Sequence, residues 1–297
     1  MAADFVHSPL ANVLRLMRWR GRRGCAALRH GWSALRGTPV LFGNSVPKSG
    51  THLLAQILSA FPSIGLAVER GMGPVLTFVR QTGRERTMEE LLQDLRQLGP
   101  GDVCFGHVVA TPEVRQYWHG LNVAHYFILR DPRDVVISHA FYIADKATQN
   151  VHHAYYKSLE SLEERIRVSI QGRPDWQGES NEAVSFPDIN TRYQRYLDWL
   201  NEPGVCVLRF EDFLRAREEN LGKMLDYAVQ RGFQLYTPRE QAIQALAAAI
   251  QPKKSFTFRK GEAGNWREHF TTEHKERFKQ VAGELLIQLG YETGIDW

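Results

Sequence analysis

The sequence predicts an α/β fold in three layers, with a central parallel sheet and a P-loop-like strand-loop-helix cradle for phosphate. Two apolar runs, residues 40–43 and 126–129, are short and flanked by turn-forming or polar residues, as is typical of buried parallel strands. The first run leads through a loop of small residues into a helical pattern over residues 53–58. Hydrophobic residues make up 43% and charged residues 24% of the chain, which excludes a disordered or fibrous protein.

The basic residues are concentrated in the amino-terminal part of the chain. The formal net charge is +4, yet residues 1–68 hold eight basic side chains against one acid, Asp4, so the remainder is slightly acidic. Residues 8–37 form an Arg-rich helical pattern that Gly21 and Gly24 interrupt. A solvent-exposed basic face, an interfacial helix on anionic lipid and a targeting presequence all fit this segment.

The cysteines and the hydropathy pattern indicate a cytoplasmic protein. Cys25, Cys104 and Cys206 show no CxxC spacing, which excludes a disulfide framework or a cysteine zinc site and indicates free thiols in a reducing compartment. No apolar run approaches the roughly 18–20 residues of a membrane span. The sequence also contains no N-x-[ST] sequon and no charged-then-apolar signal peptide.

The loop after the first predicted strand has the composition of an anion site. Backbone N–H groups at the start of the next helix and the positive end of its dipole favour a bound phosphate, and Lys48 adds a point charge. Lys48 precedes Gly50, whereas the Walker A pattern GxxxxGK[ST] has its lysine after the second glycine. At this position in the loop, Lys48 would lie beside the terminal group of a bound phospho-anhydride. An ordinary strand-to-helix turn with an exposed lysine fits the same residues.

Two further segments place cations where an anion could bind. Arg130 follows the second predicted strand and Ser138 lies eight residues on, which puts a guanidinium and a hydroxyl at the carboxyl end of a parallel strand. Residues 259–261, Arg-Lys-Gly, combine two cations with a glycine that lets the backbone approach an anion. The alternatives are a local ion pair between Arg130 and Asp131 at the strand end, and a solvated basic turn at the second segment.

Four blocks, in the same order along the chain, resemble those of the sulfotransferases that use 3′-phosphoadenosine 5′-phosphosulfate (PAPS). Residues 47–51 are similar to the PKSGT loop of that family, residues 130–138 to its R-[DN]-P-[KR]-D-x-x-x-S block, and residues 259–267 to its RKGxxG[DN]W[KR] block. A weaker match, residues 207–212, is similar to a strand that ends in [YF]ED. Four matches in register over residues 38–276 rarely arise by chance.

The resemblance implies one sulfotransferase domain over residues 38–297, after a basic helical extension over residues 1–37. Length alone fits one domain or two. The implied reaction is in-line transfer of the sulfuryl group from PAPS to an acceptor hydroxyl or amine, with 3′-phosphoadenosine 5′-phosphate (PAP) as product. No metal is expected, because a sulfuryl group carries one charge less than a phosphoryl group and no His/Asp/Glu spacing indicates a metal site.

The resemblance also assigns the residues that bind PAPS. The 5′-phosphate is expected on the start of the helix after the loop: Lys48, Ser49, Gly50, Thr51 and His52. The 3′-phosphate is expected on hydroxyl, cationic and backbone groups: Arg130, Ser138, Arg259, Lys260 and Gly261. His52-Leu53 replaces a Thr-Trp pair that is frequent in the family, which removes the indole that stacks on adenine. Adenine is therefore expected to lean on other aromatic side chains: Phe256 or Phe258, and Tyr193.

The same resemblance names three catalytic residues. His107 is expected to take the proton of the acceptor, and Lys48 to meet the charge on the oxygen that bridges sulfur and phosphorus. Ser138 is expected to contact Lys48 before the acceptor binds. Phe105-Gly106 stands where many cytosolic members have Lys-Thr before the histidine, so Lys48 or another residue must replace the missing cation.

The acceptor is expected to be a small molecule or a glycan, and not a nucleic acid. Insertions at residues 62–100 and 145–190 should cover its pocket, and Trp118, Phe141 and Tyr142 are candidates to line it, although each also fits the core. Phenol, sugar, lipid and peptide acceptors all stay open. The basic amino terminus favours an acidic or membrane-borne acceptor. It also predicts peripheral contact of the protein with a membrane.

The sequence leaves open the quaternary structure and two other classes of function. Residues 267–276 are similar to the family's dimerisation stretch and suggest a homodimer, but a helix capped by Thr271 or Thr272 fits them equally well. A P-loop-type kinase or NTPase would use Mg-ATP and a GK[ST] tripeptide, which this loop lacks. A membrane-binding or nucleic-acid-binding module would leave the blocks at residues 130–138 and 259–267 unexplained.

Overall fold

Six parallel strands form the central sheet of this protein, whose computed structural model describes residues 9–79, 82–173, 186–254 and 260–297. The strands are β1 Val40–Ser45, β2 Val68–Glu69, β3 Val75–Leu76, β4 Asp102–His107, β5 Val123–Leu129 and β6 Val205–Arg209. Their order is β2-β4-β1-β5-β6, and β3 also pairs with β4. Every pairing is parallel, which confirms the predicted sheet.

Helices cover both faces of this sheet. They are α1 Pro9–His30, α2 Trp32–Gly37, α3 Thr51–Ser59, α4 Phe61–Ile64, α5 Met88–Leu95, α6 Pro112–His119, α7 Pro132–Asp145, α8 His153–Ser158, α9 Leu162–Gln171, α10 Ile189–Gln194, α11 Phe210–Arg215, α12 Arg217–Gln230, α13 Arg239–Ala249 and α14 Thr272–Gln288. Short 3-10 turns lie at Leu197–Leu200, Pro252–Lys254 and Asn265–Glu268. The order β1, loop, α3 is the predicted strand-loop-helix cradle.

Each central strand contributes to two hydrophobic cores. Along β1, Val40 and Phe42 join one core and Leu41 joins the other, because successive side chains of a strand point to opposite faces. The first core also holds side chains of α5, α6, α7, α9, α10 and α14, and the second holds side chains of α3, α4, α11, α12 and α13. Two helix layers therefore enclose the sheet, and the three-layer prediction is confirmed.

Gly43 lets α3 lie close to β1. A Cβ at Gly43 would lie 2.8 Å from the side chain of Leu58 and 3.0 Å from that of Leu54. A larger residue would push the helix away from the sheet, since a close-packed core has no space to absorb it. The glycine therefore helps to hold the helix that follows the phosphate loop.

The amino-terminal residues form two helices on the edge of the sheet. Gly21 and Gly24 were expected to interrupt the first helix, but both lie inside α1. An internal glycine costs a helix only about 1 kcal/mol relative to alanine. The break comes at Gly31, which has a φ of 91°. No helix among the described residues is long and apolar enough to cross a membrane.

Residues 267–276 contain the start of α14. The Thr271 hydroxyl accepts the backbone N–H of His274, and the His274 ring accepts the backbone N–H of Thr271. This capping box accounts for the threonine in the stretch. The homodimer stays a prediction.

Asn44 ties β1 to the chain that leaves β4. Its side chain is buried; its Oδ1 accepts the N–H of Val108 and its Nδ2 donates to the Val108 carbonyl, both at 2.9 Å. The bonds hold the segment after His107 against the carboxyl end of β1. A buried amide placed in this way fixes the geometry at the edge where ligands bind in α/β sheets.

We expect Asn44→Ala to destabilise the protein by about 1–3 kcal/mol, because the buried N–H of Val108 loses its acceptor. Thermal unfolding measures the effect as a Tm lowered by several degrees. Asn201→Ala is the matched control, since Asn201 is exposed. Equal Tm values for the two variants would show that the Asn44 bonds do not hold the strands together.

Candidate active site

The loop between β1 and α3 has a backbone suited to an anion. Lys48 has a φ of 72°, the one positive φ outside glycine among the described residues. Gly50, with a φ of 111°, precedes α3 and provides no side-chain cap for it. A Cβ at Gly50 would lie 3.0 Å from Phe210 and 3.1 Å from Ile128. Only a glycine fits at position 50, directly before the first N–H groups of α3. The left-handed conformation of Lys48 is strained for a non-glycine residue, as is often found at functional sites.

Lys48 lies in the loop before α3, in a cationic environment. Its ammonium is 3.6 Å from the ring centroid of Tyr142. Burial, which is the largest cause, and the nearby cations Lys146 and Arg130 together lower the pKa of Lys48 to about 7. An anion bound here would relieve both effects, because it compensates the buried charge and separates it from its like-charged neighbours.

His107 ends β4 with its ring held by β1. Its Nδ1 lies 2.9 Å from the Ser45 carbonyl oxygen, which can only accept, so Nδ1 carries the proton and donates. Nε2 is therefore the basic nitrogen of the neutral ring. The Ser45 hydroxyl lies 3.2 Å from Nδ1 and 2.8 Å from the Thr51 hydroxyl. The His107 carbonyl accepts a 2.6 Å bond from Thr77.

Arg130 ends β5 and reaches the segment around residue 262. Its Nη2 donates to the Glu262 carbonyl at 2.7 Å and lies 3.3 Å from a carboxylate oxygen of Asp134. The guanidinium lies 4.5 Å from the ring centroid of Phe210. Its Nε is buried with no hydrogen-bond partner among the described residues. Arg130 does form a local ion pair, but with Asp134 and not with Asp131, and the pair leaves Arg130 with a donor for an anion.

Asp134 joins two blocks that lie far apart in the sequence. Its buried carboxylate accepts the backbone N–H of Gly264 at 2.8 Å and of Trp266 at 2.9 Å. Gly261, nearby in the chain, has a φ of 69°. The third sequence block is thereby docked beside Arg130.

Tyr193 connects the end of β5 with the loop before α3. Its hydroxyl donates to the Arg130 carbonyl at 2.7 Å and lies 3.5 Å from the Ser49 hydroxyl. The ring is 0% exposed and belongs to the core. A ring without exposed surface offers no face to a purine, so the described geometry does not match the expected stacking of Tyr193 on adenine.

The other predicted site residues differ in how the structure places them. Ser138 is half-buried on α7, and His52 is exposed in the first turn of α3. Lys260 is exposed and forms an ion pair with Glu268. Three predicted residues lie outside the described part of the chain: Phe256, Phe258 and Arg259.

Arg133, next to the site, has a structural environment. It is buried, donates to Asp131 at 2.8 Å and to Glu292 at 2.6 Å, and lies between the rings of Trp266 and Trp297. Two carboxylates satisfy its charge, so it joins the carboxyl-terminal residues to α7.

The candidate acceptor residues separate in space. Tyr142 faces Lys48, as described above, and Phe141 contacts the ring of His269 with centroids 5.6 Å apart. Trp118 is packed in the core against Phe42 and lines a pocket with Val123, at the amino end of β5. Trp118 therefore does not line a pocket beside Lys48.

Several site residues carry no signal in the sequence that would single them out. Ser45 and Thr77 act on His107 through short-range bonds, and Glu262 contributes only its carbonyl. The one sequence feature that indicates Ser45 is its position directly before the loop. Among the described residues, no group of three or more His, Cys, Asp or Glu side chains could hold a metal ion.

One curated protein is similar to part of this chain. A curated protein described as flavonol sulfotransferase-like, from Flaveria bidentis, is 22% identical over 171 residues, which are 55% of this chain. The chain spans about half the length of that relative, 54%.

Solved structures share the fold. A mouse sulfotransferase, SULT7A1, complexed with PAP superimposes with a TM-score of 0.55 at 15% identity, over 86% of this chain and 87% of that one. Retinol dehydratase in complex with androsterone and PAP gives a TM-score of 0.51 at 17% identity, over 85% and 83%. A second structure of retinol dehydratase, with retinol and PAP, gives 0.51 at 16% over the same shares.

The family model of the sulfotransferase domain matches residues 41–290. This range contains the phosphate loop, His107, Arg130 and the segment that Asp134 holds. Since the match covers most of the 297 residues, the protein belongs to the sulfotransferase family.

Proposed function

We propose that this protein transfers the sulfuryl group of PAPS to an acceptor hydroxyl or amine, with residues 38–297 as the catalytic unit. The convergence of Lys48, His107 and Arg130 around the start of α3 carries the proposal. These residues end or follow neighbouring strands β1, β4 and β5, so their groups meet at the carboxyl edge of the sheet. The family match and the neighbours solved with PAP support the same donor.

The cradle geometry supports a distinct place for each phosphate of PAPS. The 5′-phosphate would bind the N–H groups of residues 49–52 at the start of α3, with the Thr51 hydroxyl and Lys48. The 3′-phosphate would bind the Arg130 guanidinium, whose Nε has no partner among the described residues, together with Ser138. The loop that Asp134 holds would add the backbone of Lys260 and Gly261 and the side chain of Arg259.

Adenine would then lie against the aromatic residues Phe256 and Phe258. Tyr193 would act as a support instead, because its hydroxyl connects the Arg130 carbonyl with Ser49. This division of roles leaves the purine outside the packed core that encloses Tyr193.

His107 would act as the base of the transfer. With Nδ1 donating to the Ser45 carbonyl, Nε2 would take the proton of the acceptor as its oxygen or nitrogen bonds to sulfur. Lys48 would neutralise the charge that the bridging oxygen gains as its bond to sulfur breaks. The products would be the sulfated acceptor and PAP, with the proton on His107.

A second cation near the sulfuryl group would come from Lys146, directly after α7. Phe105-Gly106 lacks the lysine that precedes the histidine in many family members, and a Cβ at Gly106 would lie 2.3 Å from the Val75 carbonyl. Lys146 is close enough to lower the pKa of Lys48. We therefore assign to Lys146 part of the work of the missing lysine.

The acceptor would be a small molecule or a glycan that lies beside Tyr142 and Lys48. The contact between the Tyr142 ring and the Lys48 ammonium puts Tyr142 beside the cation that would face the sulfuryl group. Small acceptor-sized ligands, androsterone and retinol, are present in the structures of retinol dehydratase.

We expect Lys48→Ala and His107→Ala each to lower kcat by about two orders of magnitude or more, because they act on transition-state charge and on proton transfer. The assay uses labelled PAPS and the best acceptor from a screen of phenols, sugars and lipids. Lys157→Ala and His119→Ala are controls that lie on exposed surface elsewhere. Full turnover by His107→Ala would exclude it as the base.

Arg130→Ala should weaken the binding of PAP by about 10- to 100-fold while changing the binding of adenosine 5′-phosphate by less than about threefold. The selectivity follows because a charge-assisted hydrogen bond contributes about 1.5–3 kcal/mol and only PAP has the 3′-phosphate. Calorimetry measures both ligands, and Arg167→Ala, an exposed arginine of α9, is the control. An equal loss for both ligands would remove Arg130 from the 3′-phosphate site.

The affinity for PAP should fall between about pH 7 and pH 9, by at most about tenfold per pH unit. The pKa of Lys48 is about 7 in the ligand-free protein, and a bound phosphate raises it, so binding takes up a proton above pH 7. The phosphates themselves are ionised over this range, since their second pKa is about 6. His139, whose ring is buried and feels the charge of Lys48, stays neutral because burial holds its pKa well below the usual value.

The variant Lys48→Arg tests the origin of this pH dependence. An arginine stays charged throughout the range, so the affinity of Lys48→Arg for PAP should be nearly constant from pH 7 to pH 9. Calorimetry in buffers of different ionisation enthalpy counts the protons taken up. The same pH slope in the wild type and in Lys48→Arg would assign the dependence to another group.

A further inference from the structure

Helix α1 presents an apolar face to solvent. Val13, Leu14, Met17 and Leu28 are 46%, 39%, 63% and 85% exposed. With 3.6 residues per turn, these positions fall within an arc of roughly 100° on the helix surface. Gly21 and Gly24 lie in the same arc, with nothing within 4 Å of a Cβ built on them. The helix therefore has an outward stripe of large apolar side chains with open space above it.

The opposite face of α1 is fixed to the sheet edge. Trp19 Nε1 donates to the buried carboxylate of Asp102 at 2.8 Å, and Arg23 donates to the same oxygen at 2.7 Å. Arg22 donates to the Glu69 carbonyl at 3.0 Å, and Ala27 is buried in a small core with Val68. Turning the apolar stripe inward would leave Asp102 buried without these donors, which is costly. The stripe is thus held outward by the fold.

Cations border the stripe on both sides. Arg20 lies next to one edge of the arc, and Arg18 and Arg29 lie next to the other; all three are exposed. The described residues 9–37 contain no Asp or Glu. Trp32, in α2, is 57% exposed. An apolar centre, arginine borders and an exposed indole are the features of a helix that lies in a membrane interface.

The charge distribution separates the candidate occupants of this face. A second copy of the chain would bring two arginine-bordered faces together, with like charges opposed. An anionic bilayer satisfies both parts of the surface at once, since lipid phosphates pair with the arginines and the acyl boundary takes up the apolar side chains. The bilayer is therefore the occupant that the observations favour.

We propose that the outward face of α1 binds the surface of an anionic lipid bilayer, with Leu14, Met17 and Leu28 at the headgroup-acyl boundary and the flanking arginines at lipid phosphates. This interaction goes beyond the proposed sulfuryl transfer and does not depend on it. β4 begins at Asp102, beneath α1, and ends at His107, so the membrane face and the candidate base lie at opposite ends of one strand. Binding there leaves the carboxyl edge of the sheet accessible.

Co-sedimentation of the full chain with vesicles tests the proposal. The wild type should bind vesicles of phosphatidylcholine with phosphatidylglycerol at least tenfold more tightly than vesicles of phosphatidylcholine alone, and added salt should weaken this binding. The double variant Met17→Glu with Leu28→Glu should lose at least tenfold in binding to the anionic vesicles. The pair Arg18→Gln with Arg20→Gln should reduce the preference for anionic over neutral lipid.

Val229→Glu is the matched control, because Val229 is an apolar side chain that is 44% exposed and belongs to α12, not to the stripe on α1. It should bind vesicles as the wild type does. Tm and PAP affinity, measured on every variant, separate loss of the membrane face from unfolding and from failure of the proposed activity. Three results would overturn the proposal: a wild type that ignores anionic vesicles, a Met17/Leu28 variant that still binds them, or a face that instead drives concentration-dependent self-association.

Discussion

The site depends on the carboxylate of Asp134. It accepts backbone N–H groups from Gly264 and Trp266, some 130 residues away in the chain, and lies 3.3 Å from Arg130. Because the carboxylate is buried, breaking these bonds would strand a charge in a low-dielectric interior. The resulting junction holds a carboxyl-terminal loop against the end of β5. The two segments can then form a cationic surface for a nucleotide, which neither segment could form alone.

The cradle concentrates positive charge where burial disfavours it. Burial and, after it, the nearby cations Lys146 and Arg130 lower the pKa of Lys48 to about 7. Lys48 also adopts a left-handed backbone conformation, which costs a non-glycine residue roughly 1–2 kcal/mol. Such a site is less stable empty than filled, and an anion that pairs with the cations recovers the difference. Affinity for a phosphorylated ligand and local instability thus have the same physical origin.

The parts of the site that could be predicted are those with local causes. Lys48 and Gly50 stand out because a strand, a loop of small residues and a helix follow one another in the sequence, and the backbone of such a turn is set by nearest neighbours. Arg130 stands out because it directly follows a buried strand. Tyr193 and Trp118 have no such local signal, since residue type alone does not separate a buried ring from one that lines a site. Their burial, against the Arg130 carbonyl and against Phe42, depends on elements distant in the chain.

The amino-acid sequence by itself determined the α/β class, the phosphate loop and the order of the family blocks, because strand burial, turn chemistry and motif spacing are written in short stretches of chain. Only the tertiary structure decided which ring nitrogen of His107 is basic, which donor of Arg130 has no partner among the residues that the structure describes, and which face of α1 is turned outward. Each of these depends on a partner from elsewhere in the fold: the Ser45 carbonyl, the Glu262 carbonyl and the Asp102 carboxylate. Hydrogen bonds between residues that lie far apart in the chain leave no periodic pattern in the sequence, so the sequence does not predict them.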